Sequence, residues 1–423
     1  MTRWQRIVSR IVRRVWFRAA LISLCGVLVA ALAGVVARFV PFRVAGNLGQ
    51  NAVDSILEIM ASSMLAVTTF SINAMVTAYS SSTQTATPRA TQLMVDDPTS
   101  QNALSTFLGA FVFSVVGIIG LQTGIYGEQG RVILFAGTVL LVGVVVVTLL
   151  RWIAHITIFG RLADVIDRVE HAAAEAMRRF AEDARIGGLP AVAIPTQAER
   201  VCGNTTGYVT HVDLSLLGRL ADSHGLTLHV VATPGVMVDP LRPLLHAMAE
   251  DNATRPNLDD ELRGRLVSAF SIERHRSFDQ DPRLGLIALG EIASRALSPA
   301  VNDPGTAIEV MNALLRVLLL LPAEEPDQDE RAQRPAVHIT RPVIGEMMED
   351  AFRPLLRDGA SMIEVMLRAS GTLDAIHRNL PVARSAAIAY AARLRSSAVS
   401  AIESPASRDE FEAAHDRLWA GRG

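Results

Sequence analysis

Lysine is missing from this sequence: all forty basic residues are arginine. That absence excludes a Schiff-base lysine, a phosphate-loop lysine and a lysine carrying a prosthetic group. We read it as coding bias of a GC-rich genome rather than as chemistry. Cysteine is scarce as well. Cys25 lies in an apolar run and Cys202 in a polar stretch, so no disulfide framework is supported. There is no CxxC, no HExxH and no GxGxxG following a strand. The formal net charge of −2 provides no global field for nucleic acid.

What is abundant is apolar sequence. Half of the 423 residues are hydrophobic, and the mean hydropathy of +0.30 lies above the usual soluble range. Uncharged apolar runs cover residues 19–37, 103–125 and 132–150. Each is long enough to cross roughly 30 Å of hydrocarbon at about 1.5 Å per residue. A fourth candidate, residues 56–79, is apolar but seeded with Ser, Thr and Asn. The link GEQGR makes the last two spans an antiparallel hairpin. Six arginines, Arg3, Arg6, Arg10, Arg13, Arg14 and Arg18, precede the first span, and Arg151, Arg161 and Arg168 follow the last. Four crossings with both termini cytoplasmic satisfy that arginine placement. The rival reading is a cleaved signal peptide with Ala31-Leu32-Ala33 as the cleavage box, against which the apolar run continues past the box.

The second span differs from the others. On a helix at 100° per residue, Asp54, Ser55, Glu58, Ser62, Thr69, Asn73, Thr77 and Ser80 fall within about 140° of arc, opposite Leu57, Met60, Met64 and Val67. Polar groups in hydrocarbon face a bundle interior or water, which makes Asp54, Glu58, Ser62, Thr69, Asn73 and Thr77 candidate pathway-lining residues. The competing reading is helix packing through small hydroxylated residues. The glycines Gly109, Gly117, Gly120 and Gly124 of the third span suggest close helix contacts. The polar stretch 80–98 after the second span reads as a cytoplasmic loop or broken helix. No breaker separates the fourth span from RLADVIDRVEHAAAEAMRRF, so one long helix is expected to leave the membrane.

The fold class expected is therefore mainly α: a polytopic membrane protein with four transmembrane helices, then a cytoplasmic α+β domain built from a small β module and a helical bundle. The expected boundaries are a basic leader (1–18), the transmembrane domain (19–158), a helical connector (159–186), the β module (187–255), a helical region (256–321), a charged linker (322–336) and C-terminal helices (337–423). In the β module, YVTHVDLSLLGRLADSHGLTLHVVATPGVMV reads as strand, short helix, strand, turn, strand. Its GYV and PG segments resemble the half-motifs of biotinyl- or lipoyl-like sandwich modules, here without the lysine. His211 and Asp213, two apart, read as an exposed strand face, with a metal pair as the lesser alternative.

LSPAVNDPGTA, residues 297–307, interrupts two helical runs. Ser298-Pro299 stops one helix, and Asp303-Pro304 caps and starts the next. That leaves Asn302 and the nearby Asp279, Asp281, Glu291 and Arg295 as an interface or ligand corner. It can lock a neighbouring subunit, hold a hard cation on its oxygen atoms, or hold an anion on the helix N-terminus. No nucleophile–base pair or metal-ligand spacing supports an enzyme.

SFDQDPRLGLIALGEIASRALSPAVNDPGTA, the four-span half and GYVTHVD together resemble a bacterial family of predicted inner-membrane proteins called domain of unknown function 2254. The resemblance covers nearly the whole chain, and ALSPAVNDPGTA is its most specific part. The chain departs from the family at Asp239-Pro240-Leu241-Arg242, where a glycine is usual, so a tight turn is not expected there. The resemblance implies a membrane location and a shared architecture, and no activity. The combined expectation is a homo-oligomeric, channel-like inner-membrane protein without a cofactor, whose partners are the bilayer, its own copies and an inorganic ion. The alternative is a membrane-anchored scaffold or sensor.

Overall fold

The computed structural model describes residues 50–421 apart from 86, 96, 125, 127, 184, 251–255 and 323–333, together with positions 20, 21, 24 and 28. Two compact units divide near residue 165.

The first unit is helical. α1 (Gln50–Thr85), α2 (Pro88–Val95), α3 (Pro98–Gln122) and α4 (Glu128–Ile156) follow one another. Among the described residues three helices are long and apolar enough to cross a membrane: Val53–Thr83, Pro98–Gln122 and Gly130–Ile156. The first predicted span, 19–37, lies outside the described residues save for four positions, and the other three predicted spans fall on these three helices. α3 lies between the other two. Its Phe107 and Ala110 meet Met60, Met64, Val145 and Trp152 in one apolar cluster. A second cluster joins Val53 and Leu57 of α1 to Phe113 and Leu121 of α3 and Leu134 of α4.

Glycine permits two of these approaches. A Cβ on Gly117 would stand 3.1 Å from the Leu57 side chain, and one on Gly120 would overlap the ring of Tyr126, which folds back over α3. Gly124 has a different role: its φ of +70 ends the helix, and nothing packs on it. The polar stretch 80–98 is a broken helix, with α1 running on to Thr85 and α2 following after Thr87.

The long helix expected to leave the membrane is interrupted. Residues 157–160 form a turn, and Gly160 adopts φ +83. The Ser82 hydroxyl of α1 donates to the Gly160 carbonyl at 3.0 Å, and a Cβ at 160 would press on the Ala78 carbonyl. A left-handed glycine breaks a helix without any proline, and the apolar periodicity on either side hides it.

The second unit opens with the strongly amphipathic α5 (Leu162–Glu182), whose inner face carries Val169, Ala173 and Met177. Three short strands, β1 (Gly188–Pro190), β2 (Glu199–Cys202) and β3 (Gly207–Val212), lead to α6 (Leu214–His224). Then come β4 (Leu226–Val230), β5 (Met237–Val238), β6 (Pro243–Ala249), α7 (Asp260–Ser268) and β7 (Phe270–Glu273). α8 (Pro282–Ala296), α9 (Pro304–Leu318), β8 (Arg334–Ile339), α10 (Ile344–Asp358), α11 (Ile363–Asn379), α12 (Arg384–Ala401) and α13 (Pro405–Trp419) complete the chain.

The larger sheet has the order β1-β8-β4-β6-β2. β8 pairs in parallel with β1 and β4, while β6 runs antiparallel to β4 and β2. A smaller sheet has the order β5-β3-β7. α6 covers the larger sheet, burying Leu217 and Leu220 with Leu228, Val230, Leu245 and Val337 in one core.

β8 crosses the expected boundary at 336/337, since residues 334–339 were divided between the charged linker and the C-terminal helices. PAVHI is short and follows a polar run, yet Val337 and Ile339 alternate inward, which is what a central strand needs. The β module is accordingly not self-contained: its sheets take β7 and β8 from later in the chain. The turn at 239–242 forms without the usual glycine, because the Asp239 carboxylate accepts from the backbone N–H of Leu241 (2.8 Å) and Arg242 (3.1 Å).

Candidate functional site

Three places gather the polar residues singled out above. The first is the exposed side of α1. Its buried side is apolar, with Val53, Leu57, Met60 and Met64, so the polar stripe turns away from α3. Glu58, Ser62, Thr69, Asn73 and Thr77 are all exposed. The hydroxyls of Ser62, Thr69 and Thr77 donate to carbonyls four residues back in their own helix, at 3.0, 3.0 and 2.9 Å. Their oxygen lone pairs are left pointing outward as acceptors. Asp54 is half-buried, and its Oδ1 is buried without a hydrogen-bond partner among the described residues.

α4 makes the contrast. Its exposed positions between 136 and 150 are all apolar, among them Val139, Leu140, Val142, Val144, Val146, Val147 and Leu150. At one end of this unit Asp97, 3% exposed, caps α3 through Ser100 N–H (2.7 Å) and meets His155 Nε2 of α4 at 2.9 Å.

The second place is the LSPAVNDPGTA corner. The Asp303 carboxylate accepts from Thr306 N–H (3.0 Å) and Thr306 Oγ1 (2.6 Å), as a cap should. The Thr306 hydroxyl and then its N–H hold this carboxyl below the ordinary value of 3.8. Asn302, which the capping argument left unexplained, is explained by its backbone. It adopts φ +50, where asparagine is tolerated far better than a branched residue, and its N–H donates to the Ser298 carbonyl at 2.8 Å. Asp303 N–H then donates to the Ala296 carbonyl at 2.8 Å, closing the corner.

The expected constellation is not assembled. Asp281 caps the start of α8, whereas Asn302 and Asp303 follow its end; fifteen residues of helix, roughly 22 Å at 1.5 Å per residue, separate them. Asp279 is exposed and lines a cavity of about 160 Å³ with Phe180 and Ile186. Glu291 is half-buried and Arg295 exposed, both within α8. Asp213, once paired with His211, caps α6 by accepting from Leu216 N–H at 2.9 Å. Among the described residues no group of three or more His, Cys, Asp or Glu is arranged to hold a metal ion.

The third place was not foreseen. Asp281, 1% exposed, receives Nε and Nη2 of Arg276 at 2.6 and 2.9 Å. The pair fits only because residue 235 is glycine. Gly235 has φ +91, and a Cβ there would stand 2.6 Å from Asp281 Oδ2 and 2.8 Å from Arg276 Nη2. Arg283, in the first turn of α8, binds Asp350 of α10 (Nε to Oδ2, 2.5 Å) and also Glu346. Those carboxylates raise its affinity for its proton, the Asp350 hydrogen bond most of all. Arg276, Arg283 and Glu346 line a cavity of about 380 Å³ together with Arg242 and Arg341. The sequence clues were the PG turn and the arginines flanking QDP, but only the fold joins them to Arg242 and Arg341.

A family model described as "Predicted membrane protein (DUF2254)" matches residues 12–375, more than half of the chain. The chain belongs to this family. Uncharacterized proteins of Mycobacterium bovis and Mycobacterium tuberculosis are each 32% identical to it over 146 residues, 34% of this chain. The match spans about a quarter of those relatives' own length (27%). No solved structure matches. The family match runs through α1, both sheets and the α8–α9 corner, and ends within α11. The membrane character that its description names agrees with the three apolar helices.

Proposed function

We propose that this family member is a homo-oligomeric, channel-like protein of the bacterial inner membrane, in which the polar face of α1 lines a pathway shared between copies. One observation carries the reading: among the described residues Glu58, Ser62, Thr69, Asn73 and Thr77 stay uncovered on a helix of membrane-spanning length, while the exposed positions of α4 between 136 and 150 are all apolar. Lipid suits α4. The row on α1 requires water or another polar surface, because polar groups facing hydrocarbon are costly. Symmetry would place copies of that row around an axis, with acceptor oxygens along it and the Glu58 carboxylates at one end, an arrangement that favours cations. Arginine before and after the apolar region supports a cytoplasmic location for both termini, which would make the second unit an assembly or sensing domain on that side. No catalytic step is assigned to it.

Purified protein in liposomes should pass monovalent cations, and Glu58→Gln should reduce that flux several-fold. Asn73→Cys in a chain freed of Cys25 and Cys202 should crosslink between copies. Absence of both flux and crosslinking would refute the proposal. Crosslinking without flux under any ionic or voltage condition would favour the scaffold reading, in which the same face joins copies or a partner helix.

A further inference from the structure

We infer that the arginine-lined cavity of the second unit is a binding site for a phosphate-bearing small anion. Arg242 from the β5–β6 turn, Arg276 after β7, Arg283 of α8 and Arg341 after β8 border one space of about 380 Å³. That volume lies within the roughly 300–1,000 Å³ of small-molecule pockets. Four separate segments deliver these guanidinium groups, and one carboxylate, Glu346, lines the cavity with them. Asp281 and Asp350, which bind Arg276 and Arg283, are not among the lining residues.

Arg283 gives Nε and Nη2 to Asp350 and Nη1 to Glu346, whereas two other arginines keep a nitrogen uncommitted. Arg276 commits Nε and Nη2 to Asp281, leaving Nη1. Arg242 commits Nη1 to the Met237 carbonyl at 3.1 Å, leaving Nε and Nη2. A guanidinium held in place from one side and still able to donate from the other is what planar recognition of phosphate needs. The donors left on Arg242 and Arg276, beyond those taken by the Met237 carbonyl and Asp281, call for further acceptor oxygens, which is the reason for assigning phosphate.

The surroundings also make the charge of Arg341 costly. Burial first, and then the neighbouring charge of Arg185, lowers Arg341 below the ordinary arginine value. Arg185 is itself lowered by burial, with Asp183 the acid that opposes the shift, and its Nε is buried without a partner among the described residues. A bound dianion would relieve that repulsion. Gly235 contributes by letting the Arg276–Asp281 pair approach the turn that forms one wall.

The test is calorimetric titration of the purified full chain in detergent with inorganic phosphate, pyrophosphate and short-chain phosphatidic acid below its micelle concentration. Sodium chloride at matched ionic strength serves as the control. Saturable binding of a free phosphate, or of the phosphatidic acid alone, supports the site and tells a soluble phosphate from a lipid headgroup. Charge-assisted hydrogen bonds contribute about 1.5–3 kcal/mol, so Arg242→Gln and Arg341→Gln should each weaken binding roughly 10- to 100-fold. Arg219→Gln, exposed on α6 away from the cavity, should leave it unchanged. Exposed Arg242 guards against a folding artefact at half-buried Arg341. No saturable binding of any of the three probes, or equal affinity in wild type and both cavity variants, would overturn the inference.

Discussion

His229 places a titratable ring where protonation should open the larger sheet. Register pairs it with His246 on β6 and with His338 on β8, and Arg200 stands opposite His246, so four basic side chains form a row across the strands. His229 is 5% exposed and neither ring nitrogen has a hydrogen-bond partner among the described residues. It stacks on His338 with ring centroids 5.1 Å apart and planes 12° from parallel. Burial first, then the nearby histidines, pushes its pKa below the ordinary 6.5, and burial with Arg200 does the same to His246.

The unfolded chain therefore binds protons that the folded sheet refuses. Stability from His229 is complete above about pH 6.5 and declines as pH falls, with a limiting slope of about 1.4 kcal/mol per pH unit for one proton. The opening equilibrium should therefore rise between pH 7.5 and 5.5, by at most roughly tenfold from His229, and His246 adds in the same direction. Hydrogen exchange of β4 and β6 peptides, corrected for intrinsic rates, reads this directly. His229→Leu should flatten the pH dependence, by at most roughly a factor of ten, and protect the sheet more at pH 5.5. His229→Gln, polar but not titratable, should flatten the profile equally. A pH profile identical in wild type and both variants would refute the reasoning.

Other predictions are simpler. Asp303→Ala removes the cap of α9 and should cost about 1 kcal/mol, seen as a lower melting temperature of the second unit. Because Thr306 holds the Asp303 carboxyl low, its contribution should persist to pH 5 and be lost only as pH falls below about 3.8. Asn302→Gly should be nearly neutral, whereas Asn302→Val, forced to φ +50, should destabilise by about 1–3 kcal/mol in the same melt. Gly235→Ala combines φ +91 with overlap on Asp281 and Arg276, so it should destabilise the unit by at least about 1 kcal/mol and disturb Arg276.

Elements with a strong local signal were legible in the sequence. The apolar runs located three membrane-spanning helices, although α1 extends well beyond its apolar centre. Asp303-Pro304 announced a capped helix start; Asp97-Pro98 and Asp281-Pro282 carry the same signal and also cap helices. The polar stripe of α1 was visible because helical periodicity reports which residues share a face. The pattern alone does not say what covers that face, and among the described residues it stays open.

What escaped depends on contacts distant in sequence. Arg242 and Arg341 are unremarkable residues of turns until β8 inserts beside β4. His229, His246 and His338 are isolated histidines until strand register aligns them. Conversely, Asp279 and Asp281 lie near the corner in sequence, but the length of α8 carries them away from it. Asn302 was misread because a side-chain role was sought for a residue whose work is backbone geometry.

The position of β8 also sets an order of events during synthesis. β8 fills the gap between β1 and β4, yet some 140 residues of chain are made after β1 before β8 appears. At about 5–20 residues per second this is on the order of ten seconds. Until then β4 keeps an open edge, and β1 lacks the one strand to which it is bonded. A chain stopped before Arg334 should therefore present an unpaired strand to other chains, the situation that leads to aggregation. The last strand to be made completes the middle of the sheet.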